Sequence, residues 1–264
     1  MPRPEKIFLS AEWCDLLMLN YEADPAHLQK YVPAGTELDS FGGKIYLSLV
    51  GFRFCRTKLL GTIPVPFHTD FEEINLRFYV RHREGDELRR GVVFIAEIVP
   101  KRVIAYTARL FYGENYVRRP MTHRVLTNES KMEAEYSWRS GNGWCSLKAD
   151  TSGTPALPAE GSLEQFITEH YWGYSRRSNG GTVEYHVSHA PWKVWTATHA
   201  QFSGNTSDLY GGKLAELLTK APASAFIADG SLVKVLWGRA LSSFAYPTRI
   251  GEGPQRQKLA RRIR

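Results

Sequence analysis

Between Phe71 and Val80 the chain sets polar side chains at alternate positions. Glu73, Asn75, Arg77 and Tyr79 interleave with Ile74, Leu76, Phe78 and Val80. A strand repeats every two residues, so these sets form opposite faces. On an open sheet the polar face meets water, and Glu73 and Arg77 are an ordinary surface ion pair. If the sheet closes, one face lines an interior. A carboxylate, an amide and a guanidinium there make the polar floor of a cavity. Such groups orient a small carboxylate or carbonyl ligand, with Arg77 pairing its anion. Glu73, buried beside aromatics, then suits acid or base work.

Other residues with chemical potential fit less well. In Lys101-Arg102 a second cation could depress the lysine and make it a nucleophile towards carbonyls, but two solvated cations at a helix start look the same. Gly42-Gly43-Lys44 and Gly211-Gly212-Lys213 lack the following Ser or Thr and the upstream glycine of a phosphate loop. No G-x-G-x-x-G or G-x-S-x-G pattern occurs. His186 and His189 would point to opposite faces of a strand, so chelation by the pair needs a bulge. Cys14, Cys55 and Cys145 are dispersed and form no C-x-x-C, which reads as reduced thiols in a cytoplasmic protein. No metal or cofactor is expected.

Several elements must position the polar ladder. Strands are expected over 7–21, 44–54, 71–80, 91–99, 183–189 and 192–203. A strand-pair region follows over 225–237, and further strands lie near 118–126. Residues 81–90 read as a charged loop, with Gly85-Asp86 as the hairpin connection. Met132 to Arg139 and Trp144 to Lys148 alternate about Ser140-Gly141-Asn142-Gly143, a second hairpin. Asp24-Pro25 opens a short helix, and Ser162 to Gln165 is a capping box. Helical periodicity also covers 101–113 and 209–218. Strands dominate and helices come singly, which favours an antiparallel sheet closed into a barrel or packed as a sandwich.

Composition bounds the rest. At 43% apolar and 23% charged the chain can bury a core and is not broadly disordered. No run is long enough for a membrane span. Residues 1–6 lead into a mixed strand instead of an apolar signal core. The net charge of +7 suggests nucleic acid, but Arg256, Lys258, Arg261, Arg262 and Arg264 supply five of those charges, leaving +2 on residues 1–255. Nucleic acid is therefore expected at most as a weak contact of the tail. One domain is expected over residues 1–250, with a frayed basic tail over 251–264.

The residues also carry a family resemblance. Tyr21-Glu-Ala-Asp24, then Leu28 and Val32-Pro33, resemble the opening of acetoacetate decarboxylase-like proteins. The likeness is closer to the YqjF-like branch, domain of unknown function 2071. It rests on the whole segment 71–80, on Gly91-Val-Val-Phe94, Ala108-Arg109-Leu-Phe-Tyr112 and Tyr116, and on Phe166-Ile-Thr-Glu-His-Tyr171 and His189-Ala-Pro-Trp192. It runs from about residue 8 to 245. What it implies is a closed, strongly curved β-barrel with a few short peripheral helices and a ligand cavity, often in an oligomer. It moves Glu73 towards that cavity.

The sequence departs from the decarboxylase pattern at the chemistry. Tyr116 and Val117 stand where the family's lysine pair would be, and Cys14 falls near the position of its N-terminal arginine. Without that amine an imine route has no nucleophile. The resulting expectation is a barrel binding a small organic ligand, with Glu73 and Tyr116 as candidate catalytic groups. Asn75, Arg77, Arg109, Tyr112, Trp172 and Tyr174 are the candidate ligand-binding groups. A lyase or hydratase using Glu73 with Tyr116 is the alternative. A non-catalytic scaffold or interaction protein with a filled interior is another.

Overall fold

The structure is a computed structural model. It describes residues 6–64, 69–100, 115–128, 130–141 and 143–241. The expected helix over 101–113, with Lys101, Arg102, Arg109 and Tyr112, lies outside the described residues, as does the basic tail. Among the described residues strands make up 62% and helices 11%, so the fold is mainly β.

The strands in chain order are β1 (Ile7–Ala23), β2 (Glu37–Leu38), β3 (Ile45–Leu59), β4 (Ile63–Pro64) and β5 (Phe71–Glu84). Next come β6 (Glu87–Val99), β7 (Tyr116–Arg118), β8 (Met121–Asn128), β9 (Lys131–Ser140) and β10 (Gly143–Thr151). The last are β11 (Trp172–Arg176), β12 (Thr182–His189), β13 (Val194–Ser203), β14 (Ser224–Leu236) and β15 (Arg239–Ala240). The helices are α1 (Pro25–Leu28), α2 (Leu163–Thr168), α3 (Ser207–Tyr210) and α4 (Gly212–Leu218).

Neighbouring strands follow the order β15-β12-β11-β6-β5-β3-β1-β14-β13-β10-β9-β8. β12 also pairs with β14, so the run from β12 through β5 to β14 returns on itself. The strands do not stand evenly round one axis, so the closed barrel expected from sequence is met only as a curved, mainly β sheet. Nor is the pairing wholly antiparallel: β11 and β7 each run parallel to β6. Beyond β14 the sheet continues as the wing β13-β10-β9-β8.

That wing explains why the central strands are apolar on both faces. Leu17, Leu19, Ile74, Leu76 and Phe78 pack in one core cluster with Tyr136, Trp138 and Leu147 of the wing. Leu16, Met18, Val50, Phe52 and Tyr79 point the other way, into a second cluster with Phe166 and Trp192. Leu76 and Phe78 are fully buried, and each such side chain stabilises the fold by about 1.5–3 kcal/mol.

Local signals set the boundaries. Asp24 caps α1 by accepting from the Ala26 amide at 2.9 Å, and Ser162 caps α2 by accepting from the Gln165 amide at 3.2 Å. The loop expected over 81–90 is corrected to a tight turn: β5 runs to Glu84 and β6 starts at Glu87. The charged residues there sit on paired strands, held by cross-strand contacts such as that between Arg89 and Glu84. The single helix expected over 209–218 is split at Gly211, whose φ of 77° no right-handed helix accommodates. The region 225–237 is one strand, β14, not a pair; it bends at Gly230, where φ is 83° and an added Cβ would fall onto the Trp13 carbonyl oxygen.

The helices are not all peripheral. α2 places Phe166 and Ile167 in the second cluster, against the inner side of the curved sheet. Its short apolar stripe needs burial, and the concave side of the sheet supplies it.

Candidate active site

A cavity of about 150 Å³ lies against that inner side. Strand periodicity builds its floor. With Ile74, Leu76 and Phe78 committed to the wing side, Glu73, Asn75 and Arg77 must face inward. They are 2%, 2% and 7% exposed, so the polar ladder is interior and not a solvated face. Glu97 of β6 stands opposite Asn75 in register and lines the same space. Tyr116 of β7 pairs in register with Glu97.

Glu73 is held on both carboxylate oxygens. The Tyr116 hydroxyl donates to Oε2 at 3.3 Å and Asn75 Nδ2 donates to Oε1 at 3.2 Å. That leaves Asn75 Oδ1 buried without a hydrogen-bond partner. Two donors on one carboxylate fix its orientation, while the amide's own acceptor goes unused.

Arg77 is in a different situation. It lies four residue steps from Glu73, about 13 Å of backbone, so the simple ion pair does not form. No carboxylate among the described residues lies within 4.0 Å of its guanidinium. Nη2 reaches only the Ile167 carbonyl, at 3.5 Å, and Met18 Sδ, at 3.6 Å, while Nε has no partner. The Tyr79 ring, 5.9 Å from Cζ, adds a weak cation–π contact.

Two histidines complete the polar lining. His189 stacks on Trp192 with ring centroids 4.2 Å apart, and burial pushes its pKa down to about 4. It is therefore neutral at pH 7, and because Nδ1 lies 2.9 Å from the Ala190 carbonyl, Nδ1 carries the proton. Burial also lowers the pKa of His170, against the opposing pull of Asp39, whose Oδ2 is 3.7 Å from Nε2. That separation is too long for a hydrogen bond. His186 instead packs on Trp172, on a different surface from His189. Among the described residues no group of three His, Cys, Asp or Glu side chains could hold a metal ion.

The remaining wall is aromatic. Phe54 stacks on Phe71 at 4.7 Å, and Trp13 meets Phe52 at 5.4 Å and Trp192 at 6.0 Å. The cavity thus has an apolar side and a polar floor, the pattern of sites for small organic molecules.

Of the residues singled out from sequence, Glu73, Asn75, Arg77, Tyr116 and Trp172 come together around this space. Tyr174 does not line it. Its ring is fully buried in the other cluster, where Gly91 makes room: an added Cβ there would stand 2.6 Å from Tyr174 Cε2. Arg109 and Tyr112 lie outside the described residues. Sequence reasoning missed Glu97, His170 and His189 as lining groups. Glu97 had a signal, being the one carboxylate in the otherwise apolar run from Gly91 to Val99.

Comparison with known proteins agrees with this architecture. The chain is 26% identical over 219 residues to the uncharacterized protein YqjF of Bacillus subtilis strain 168, covering 81% of this chain and 86% of that one. Among solved structures it is similar to an acetoacetate decarboxylase-like enzyme from Sphingomonas wittichii RW1, with a TM-score of 0.64 at 15% identity over 88% of this chain and 92% of that one. It is similar to the enduracididine biosynthesis enzyme MppR complexed with pyruvate, with a TM-score of 0.62 at 15% identity over 93% of each. It is also similar to the acetoacetate decarboxylase of Legionella pneumophila, with a TM-score of 0.59 at 13% identity over 92% of each. At such identities the likeness is one of fold. The sequence match goes further: a family model fits residues 10–231, and the chain belongs to DUF2071, a family described as an uncharacterized conserved protein.

Proposed function

We propose that the cavity binds a small organic acid whose carboxylate pairs with Arg77. The observation that carries this reading is a guanidinium only 7% exposed, at the cavity wall, with no carboxylate partner among the described residues. A buried charge left uncompensated costs several kcal/mol, and an anionic ligand removes that cost. The aromatic wall takes the ligand's apolar body. Glu73, Asn75 and Tyr116 contact a carbonyl or hydroxyl group. The MppR neighbours, complexed with pyruvate and with a condensation product of pyruvate, support a keto-acid-like ligand. The architecture that suits this reading is a closed, curved barrel over residues 1–250.

One contact favours a reading with turnover. The Tyr116 hydroxyl on Glu73 places a proton donor and an acceptor together in a cavity, which suits a lyase or hydratase working without an imine. A filled interior, as a scaffold needs, fits the cavity poorly.

The test is a thermal-shift and calorimetry panel of acetate, pyruvate, phenylpyruvate and benzoate, on the full chain and on Arg77→Met. A ligand that binds only the folded state raises the melting temperature. Stabilisation by at least one acid, lost in Arg77→Met, supports the reading. No stabilisation by any acid, or the same stabilisation in the variant, overturns it. Turnover of the bound acid, followed by product analysis, separates the enzyme from the binder.

A further inference from the structure

Cys14 and Cys55 are remote in the chain but adjacent in the fold. β1 and β3 pair with Glu12 opposite Cys55 and Cys14 opposite Arg53. The cysteines are therefore diagonal neighbours on one face. That face is turned away from the cavity, because Trp13 and Phe54, the alternating residues between them, line it. Both thiols are free and half-buried. Each thiol shifts the titration of the other.

The backbone here is irregular at both cysteines. The register slips between Ser10 and Glu12 and between Cys14 and Leu17. The residues that follow the two cysteines, Asp15 and Arg56, have φ of 57° and 53°, in the left-handed region. Bulges bend the strand and strengthen its local twist. Ion pairs of Arg53 with Asp15 and of Arg56 with Glu12 brace the segment. Two free thiols at diagonal positions on irregularly paired neighbouring strands are placed to bond.

Their electrostatics divide the roles. The Cys14 thiol pushes Cys55 down to about 7, against burial and the acids Asp70 and Asp15, with help from the Arg53 guanidinium. Cys55 in turn, with burial, pushes Cys14 well up. Cys55 is thus the nucleophile and Cys14 the resolving thiol. Cys145 stands apart: it is buried, and its thiol donates to the Asn205 carbonyl at 3.5 Å.

We propose that Cys14 and Cys55 form a reversible dithiol–disulfide site on the outer face of β1 and β3, oxidised by small disulfides such as oxidised glutathione. The Cys55 thiolate attacks one sulfur of oxidised glutathione, forming a mixed disulfide and releasing one glutathione thiolate. Cys14 gives its proton to solvent, and its sulfur attacks Cys55, releasing the second glutathione. Two protein thiols become one disulfide, and the two electrons reduce one oxidised glutathione to two thiols.

The experiment treats the reduced full-length protein with oxidised glutathione, quenches by alkylation, and reads intact mass and peptide map. The expected product has lost the two thiol hydrogens of Cys14 and Cys55 and carries a single alkyl group, on Cys145, where the reduced protein carries three; it contains a Cys14–Cys55 linked peptide and reverts with dithiothreitol. Cys145→Ser behaves the same. Cys14→Ser stalls with glutathione on Cys55 and gives no linked peptide. Lack of reaction in the wild-type protein overturns the proposal. So do stable separate glutathione adducts on Cys14 and Cys55, or a link through Cys145.

Discussion

Replacing Arg77 by Met keeps an unbranched side chain and deletes the charge, and its effects should have opposite signs in the free and bound protein. In the free protein the guanidinium is buried on little more than the Ile167 carbonyl and the Met18 sulfur. Exchanging a buried ionic group for a packed apolar one is neutral or stabilising by up to about 4 kcal/mol. For a chain of this size each kcal/mol shifts the melting temperature by about 2–4 °C, so Arg77→Met should melt at the wild-type temperature or up to roughly 8–16 °C higher. In the bound protein the variant loses the partner of the ligand carboxylate, which costs about 2–5 kcal/mol. That is a loss of about thirty-fold to several-thousand-fold in affinity. Scanning calorimetry gives the first quantity and titration calorimetry with phenylpyruvate, pyruvate and benzoate the second. A less stable free variant that keeps its affinity would refute the reasoning, since it would make Arg77 a structural cation satisfied within the protein.

Further outcomes follow from the same geometry. Glu73→Gln turns an acceptor of two hydrogen bonds into an amide that must set a donor against Tyr116 or Asn75. It should cost about 1–3 kcal/mol in urea denaturation, leave the circular dichroism unchanged and weaken acid binding; unchanged affinity would remove Glu73 from the site. His189 titrates near pH 4 in the fold against its ordinary value of 6.5. Between those values the unfolded chain binds more protons, so its contribution is complete above about pH 6.5 and is lost as pH falls towards 4. His189→Phe, which preserves stacking on Trp192, should flatten denaturation midpoints across that window, with His170 leaving a residual slope of the same sign; an unchanged slope would contradict the burial argument. Gly230→Ala should cost at least about 1–3 kcal/mol from backbone strain alone, with the collision at Trp13 added, while Gly143→Ala, which meets nothing within 4 Å, should be near neutral. Equal melting temperatures for the two would show that β14 can straighten.

What the sequence disclosed was local. The alternation from Phe71 to Val80, the hairpin about Gly141 and the Ser162 cap each depend on a few neighbouring residues, and each is present. Which face of β5 is enclosed is not local. It depends on β12 meeting β14 and on the wing covering Ile74, Leu76 and Phe78, contacts between residues distant in the chain. The same limit hid the meeting of Cys14 with Cys55 and the placement of His170 at the cavity. It also misplaced Tyr174: period two assigns a face to Tyr174 relative to Trp172 but cannot see that β11 joins β6 at Gly91, where the ring finds its space. α2 looked peripheral because its capping signal reports where a helix begins and not what it covers.

One consequence of β5 serving two compartments concerns length and not composition. A single inserted or deleted residue between Phe71 and Val80 would exchange Glu73, Asn75 and Arg77 with Ile74, Leu76 and Phe78 downstream of the change, driving charges into the hydrocarbon packing and emptying the polar floor. Substitutions can be absorbed one side chain at a time; a frame change here cannot. Variant libraries of this protein should therefore tolerate indels in the exposed strand β8 and reject them in β5, so the reading frame of that strand is itself under constraint, independent of any one residue it carries.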